Sequence, residues 1–111
     1  MVMTMSRVTN VVVMCDTLTE HYGVFLRSVD RWFREHTGTS LRSVSHMAGG
    51  DKNMECSVSI GAFNHLDVDG FFKALPGFVE TKRMDADSGF ILVTATTQEN
   101  EIITWRHQVE F

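Results

Sequence analysis

The side chains with reactive chemistry in this chain are five histidines, two cysteines and several closely spaced aspartates. The histidines are His21, His36, His46, His65 and His107. No two of them stand at the His-x-x-His or His-x-x-x-His spacing that turns two imidazoles onto one metal ion. Asp67-Val68-Asp69-Gly70 and Asp85-Ala86-Asp87-Ser88-Gly89 invite a calcium reading. A calcium loop of about twelve residues needs an oxygen ligand at its first position and a glutamate at its last. Placing Gly70 at the loop glycine puts His65 and Pro76 there, and placing Gly89 so puts Met84 and Ala95 there. Both segments therefore read as caps or turns, and neither a metal site nor a cofactor is predicted.

Nucleophiles fare no better. Cys15 ends the apolar run Val-Val-Met-Cys just before a helix start. That position suits a thiolate, but the apolar run suits a core residue, and the core reading is preferred. The sequence has no Gly-x-Ser-x-Gly elbow, no phosphate-loop signature and no Cys-x-x-Cys, and Gly49-Gly50 alone is no phosphate cradle. What remains is the pair of strand-to-helix joints. Asp16, Thr17 and Thr19 offer oxygens and backbone N–H groups at the first helix start, where an anion is favoured. Asn64, His65 and Asp67 stand at the second joint, with Phe63 as a wall. If both joints lie at one sheet edge, Asp16, Thr17, Thr19, Asn64 and His65 form a site for a small anionic, nucleotide-like ligand. Histidine is the side chain suited to proton transfer at neutral pH, so a cofactor-independent enzyme would use His65 as general base with Asp67 orienting it. A second acid or nucleophile is missing, which ranks catalysis below binding. The simplest alternative is a pair of caps held by local hydrogen bonds.

The elements that must position these residues are set by periodicity. Arg7 to Cys15 contains Val11-Val12-Val13-Met14, a β-branched run expected of a central strand covered on both faces. Thr17-Leu18-Thr19-Glu20 matches a capping box. The helix it opens carries Leu18, Tyr22, Phe25, Leu26, Val29, Trp32 and Phe33 on one stripe and places Asp30 and Arg34 as an i,i+4 pair. Gly38 is its expected stop. Leu41 to Met47 reads as a second strand, joined through the turn 48–53 to a third at Met54 to Ala62. In that third strand Met54, Cys56, Val58, Ile60 and Ala62 form a dry side, and Glu55, Ser57, Ser59 and Gly61 a wet one. Asp67 caps a short second helix containing Val68, Phe71, Phe72 and Leu75, with Leu66 placed to staple against Phe71 and Pro76-Gly77 ending it. Phe78–Met84, Phe90–Thr97 and Ile102–Val109 read as strands, separated by turns at 85–89 and 98–101.

The order β-α-β-β-α-β-β, with one extra strand if 78–84 is extended, predicts an α+β chain of the ferredoxin-like, split βαβ kind. Two helices would cover one face of a mainly antiparallel sheet and leave the other open. The last strand, with Trp105, His107 and Val109 on one face, is the expected interface. The 111 residues make one domain, with residues 1–6 as a loose start. A net charge of −4 argues against nucleic acid as the main partner. No stretch approaches the ~20 apolar residues of a membrane span. Reduced, buried thiols suit a cytoplasmic protein.

Asn10-Val11-Val12-Val13, Ala48-Gly49-Gly50 with Lys52, and Ala62-Phe63-Asn64-His65-Leu66-Asp67-Val68-Asp69-Gly70-Phe71 carry a family resemblance. Together they resemble a pattern in small uncharacterised proteins of actinobacteria and their phages, although Pro76-Gly77 departs from the Pro-Trp of that pattern. The resemblance covers a third of the chain and brings no activity with it. It implies a phage or mobile-element accessory protein. Together with the residue chemistry, it predicts a cofactor-free binding protein that docks a protein partner or its own second copy as a homodimer.

Overall fold

In the computed structural model, which describes residues 8–16, 21–79 and 89–108, the valine run at 11–13 lies in the middle strand of a five-stranded antiparallel sheet. The elements are β1 (Val8–Asp16), α1 (His21–Thr37), β2 (Arg42–Ser43), β3 (Cys56–Asn64), α2 (Val68–Ala74), β4 (Phe90–Thr96) and β5 (Ile102–Gln108). In space the strands run β2-β3-β1-β4-β5, and each neighbouring pair is antiparallel. The chain is thus α+β, with two helices. The capping box at Thr17–Glu20, the turn at 85–88, residues 1–6 and Val109 lie outside the described residues.

Two elements differ from expectation. The strand predicted over Leu41–Met47 shrinks to Arg42–Ser43, because the chain curls into a 3₁₀ turn at Ser45–Met47. The strand predicted from Phe78 does not begin there: Leu75–Phe78 is a 3₁₀ turn built on Pro76-Gly77, and residues 80–84 lie outside the described residues.

Helix α1 follows its stripe. Phe25, Val29, Trp32 and Phe33 are buried, with Leu26 packed beside them. On its outer side Arg34 Nε donates to Asp30 at 2.9 Å. The Ser40 hydroxyl and then Arg34 hold the Asp30 carboxyl below its ordinary range. An exposed pair of this kind contributes about 0.3–0.5 kcal/mol. The helix stops at Gly38, whose φ of +82° lets its N–H turn back to the Arg34 carbonyl at 3.2 Å. Helix α2 starts where Asp67 accepts the Gly70 N–H at 3.1 Å. Both helices bury against the same side of the sheet. Phe33 stacks on Phe63 of β3 at 4.6 Å and meets Phe71 of α2 at 4.8 Å, while Trp32 lies 5.1 Å from Phe71. Val11, Val13 and Cys15 of β1 and Ile91, Val93 and Ala95 of β4 complete this core.

The register then fixes which side of β3 faces the helices. Thr9, Val11, Val13 and Cys15 pair with Phe63, Gly61, Ser59 and Ser57, so these four residues of β3 lie on the helix side. The side expected to be wet is the covered one. The side expected to be dry, Cys56, Val58, Ile60 and Ala62, is turned away from the helices, and Ile60 is 42% exposed. For the same reason β1 is central but covered on one face, with Val12 37% exposed on the other. The close approach of this layer is visible at Gly61, where an added Cβ would sit 2.8 Å from both Leu41 and the Phe63 ring.

Two stability measurements check this packing by chemical denaturation. Gly61→Val should lose about 1–3 kcal/mol through overpacking against Phe63. Asp67→Ala should lose about 1 kcal/mol through loss of the α2 cap.

Candidate functional site

The two strand-to-helix joints lie at opposite ends of the sheet. Asp16 pairs with Cys56, and Asn64 pairs with Val8. Because β1 and β3 are antiparallel neighbours, the end of one is the beginning of the other. At ~3.3 Å per residue the separation is about 26 Å. The composite ligand site drawn from Asp16, Thr17, Thr19, Asn64 and His65 is therefore not assembled; Thr17 and Thr19 themselves lie outside the described residues.

His65 directly follows β3 and adopts φ +55°, a left-handed conformation that carries the chain toward the Asp67 cap. It stands between two open hollows. One, of about 380 Å³, is bordered by Val8, Thr9, Thr97 and Ile103; the other, of about 460 Å³, by His36, Thr37 and Asn64. His36 stacks on Trp32 with centroids 4.0 Å apart, and its Nδ1 lies 2.8 Å from the Trp32 carbonyl oxygen. The Asp67 carboxylate is engaged by Gly70, and a methyl group at position 70 would collide with it. Asp67 thus serves the helix start. Among the described residues no cluster of three or more histidine, cysteine, aspartate or glutamate side chains could hold a metal ion. Cys15 is fully buried, and burial, with smaller contributions from Asp16 and Cys56, pushes its thiol up to about 12. A thiol in that state is a core group and not a nucleophile.

The expected interface residues Trp105 and His107 lie on the helix side of β5. They pair with Val93 and Ile91, two fully buried residues. Trp105 stacks on Phe25 of α1 at 6.2 Å with an 11° tilt, and His107 lies 6.3 Å beyond it. Both residues therefore flank the core and are absent from the open face; Val109, the third, lies outside the described residues.

The face left open by the helices, expected from the sequence as a docking surface together with the last strand, carries the apolar side of β3, which periodicity alone did not identify. Its rows, read from the strand register, run Arg42–Ile60–Val12–Thr94–Thr104 and Val58–Met14–Leu92–Arg106. Ala62–Asn10–Thr96–Ile102 flanks them on one side, and the Cys56–Asp16 pair on the other. Five aliphatic side chains, Ile60, Val12, Val58, Met14 and Leu92, meet at its centre, and the residues around them are mixed: Arg42, Asn10, Thr94, Thr96, Thr104 and Arg106 stand beside Val8, Ala62, Phe90 and Ile102. No described element of the chain covers this face. The signal was present in β3, whose alternation is the most regular in the chain, but periodicity does not say which side meets the helices. No family model, no curated protein and no solved structure matches the chain.

Two substitutions separate structural from functional roles. His65→Gly should hold or raise stability by up to about 1 kcal/mol, because glycine accepts a left-handed backbone, whereas His65→Val should lower it by about as much. Trp105→Ala should cost roughly 2 kcal/mol, less than a fully buried tryptophan, and leave the molar mass in solution unchanged. Thermal or urea unfolding with light scattering reads all three.

Proposed function

We propose that this chain is a cofactor-free binding protein that acts by self-association, two copies meeting through the open faces of their sheets. The design is that of a ferredoxin-like split βαβ unit: β1 and β2 run in the same sense with β3 between them, and β5 extends the sheet beyond β4. The observation that carries the reading is the apolar centre of the uncovered face. A sheet face that meets water ordinarily alternates to polar residues on that side. Here it presents Ile60, Val12, Val58, Met14 and Leu92, with Val12 and Ile60 37% and 42% exposed. Val8 and Ile102, 37% and 71% exposed, extend the apolar surface toward its edge, and a contiguous exposed apolar patch marks an interaction surface.

The two faces together offer about 1,000 Å² in flat projection, the lower end for a specific pairing. Four long strands at ~4.8 Å spacing and some 26 Å of length give about 500 Å² in flat projection, and side-chain relief adds to it. A standard interface buries about 800 Å² on each partner. A flat face with an uncharged aliphatic centre is also self-complementary, as a two-fold pairing requires.

Light scattering over a dilution series tests this. The expected mass is twice 12.6 kDa at high concentration, falling to 12.6 kDa on dilution. Val12→Lys with Ile60→Lys should remain at the lower mass with an unchanged circular dichroism spectrum. Alkylation of Cys56, which sits on the same face, should slow as concentration rises, while Cys15 stays unlabelled in the native protein. A wild-type chain that keeps the single-copy mass at every concentration overturns the reading.

A further inference from the structure

We infer that the hollow at the Val8 end of β1 is a binding site for a small aliphatic amine, whose ammonium group is held between the Thr9 hydroxyl and the carboxylates of Asp69 and Glu101. The hollow, of about 380 Å³, lies between the start of α2 and the turn that joins β4 to β5. It is a separate feature from the aliphatic centre of the open face, and the inference does not rest on self-association.

Thr9 sets this hollow apart from an ordinary acidic rim. It borders the hollow, yet it is only 5% exposed and is the one buried polar residue among those described. Register places it on the helix side of β1, opposite Phe63. Its hydroxyl has no hydrogen-bond partner among the described residues, and among those residues no side-chain nitrogen or oxygen sealed from solvent lacks one. The hydroxyl therefore keeps an opening, and the hollow it borders provides it. In a position so enclosed, a hydrogen bond from a charged ligand group is stronger than at the surface.

Charge selects a cation. Asp69 and Glu101 border the hollow, and neither is in an ion pair among the described residues. No lysine or arginine is among its described border residues, and His65 is the only basic type there. Asp67 is taken up as the α2 cap, and Glu99 has an interaction of its own within the chain. An anion is disfavoured at the helix start, because the Val68, Gly70 and Phe71 N–H groups already donate to Leu66 and Asp67. The turn holds Glu101 in place: its N–H donates to Thr97 Oγ1 at 3.2 Å, and its carbonyl accepts the Thr97 N–H at 2.9 Å. A metal ion is disfavoured, since no cluster of three or more ligating side chains forms among the described residues. A primary ammonium has three N–H donors, one for the hydroxyl oxygen and two for the carboxylates. Half-buried Leu66, Val68 and Ile103 supply apolar walls for a short alkyl chain.

Titration of the full chain with putrescine, a four-carbon diamine, followed by amide chemical shifts in NMR, tests the site. Saturable shifts are expected at Thr9, Asp69 and Glu101, and butyrate at the same concentration should leave these signals in place. Thr9→Val should weaken binding at least about tenfold through the loss of one hydrogen bond to a charged group. Thr9→Ser, which keeps the hydroxyl, should retain most of the affinity. Asp69→Asn combined with Glu101→Gln should weaken binding about threefold or more. These two surface changes carry the test should Thr9→Val fail to fold. Shifts that do not saturate, that butyrate reproduces, or that persist unchanged in folded Thr9→Val or in the double variant overturn the site.

Discussion

The stack of Phe63 on Phe33 sets the orientation of β3, and through β3 the character of both faces of the sheet. A strand repeats every two residues, so one anchored side chain commits all the others. With the Phe63 ring against α1 at 4.6 Å, Gly61, Ser59 and Ser57 must also face the helices. Ile60, Val58 and Cys56 must then face away. Burying a single large apolar side chain is worth about 1.5–3 kcal/mol. The opposite orientation would bury Ile60 and Val58 together at the loss of Phe63, a trade that area alone would favour. What opposes it is space. Gly61 already leaves no room for a methyl group beside Leu41 and Phe63. An isoleucine at position 61 would meet Leu41 at once. The Phe63 anchor and the crowding at Gly61 thus accompany an apolar payload of β3 on the far side.

The small residues under α1 have a second consequence. Between α1 and the β2–β3 pair lies a hollow of about 210 Å³, bordered by Leu26, Val29, Leu41, Ser57 and Ser59. The helix is held tightly over β1 and β4 and more loosely over β3. Its firm contacts are the aromatic cluster toward α2 and the stack of Phe25 on Trp105 toward β5. Trp105 therefore extends the core outward under the near end of α1, which is why a residue that stands out in the sequence as a docking candidate is engaged within its own chain.

Much of this architecture is legible in the residues. The stripe of α1, the Asp30–Arg34 pair, the Gly38 stop and the Asp67 cap are local features, decided within a turn or two, and each stands where its residue types place it. The turn between β4 and β5 is of the same kind: Thr97 takes the Asn100 N–H at 3.0 Å, and Asn100 adopts φ +63°. What was not legible is relational. The alternation in β3 identifies two sides without saying which one meets α1; that depends on Phe63, one step beyond the end of the pattern. The two joints share similar polar residues, yet strand pairing sends Asp16 and Asn64 to opposite ends. Sequence proximity to a helix start does not carry information about the direction of a neighbouring strand.

That separation bears directly on what kind of protein this is. The groups that could have converged are each occupied by a structural task. Asp67 holds the α2 start, His36 lies on Trp32, Cys15 is sealed in the core, and His65 supplies a left-handed turn. A reaction centre needs several groups within hydrogen-bond reach of one reacting atom. His36, Asn64, His65 and Asp67 share the borders of one hollow, while Asp16 and Cys15 stand at the far end of β1. An interface has a different requirement, a contiguous surface of matching character. The side-by-side registry of β3, β1 and β4 supplies it by lining up aliphatic residues from strands far apart in the chain. The pairing that sends Asp16 and Asn64 to opposite ends is the same pairing that gathers Ile60, Val12, Val58, Met14 and Leu92 on one face. The case for association through that face follows from this single arrangement of strands.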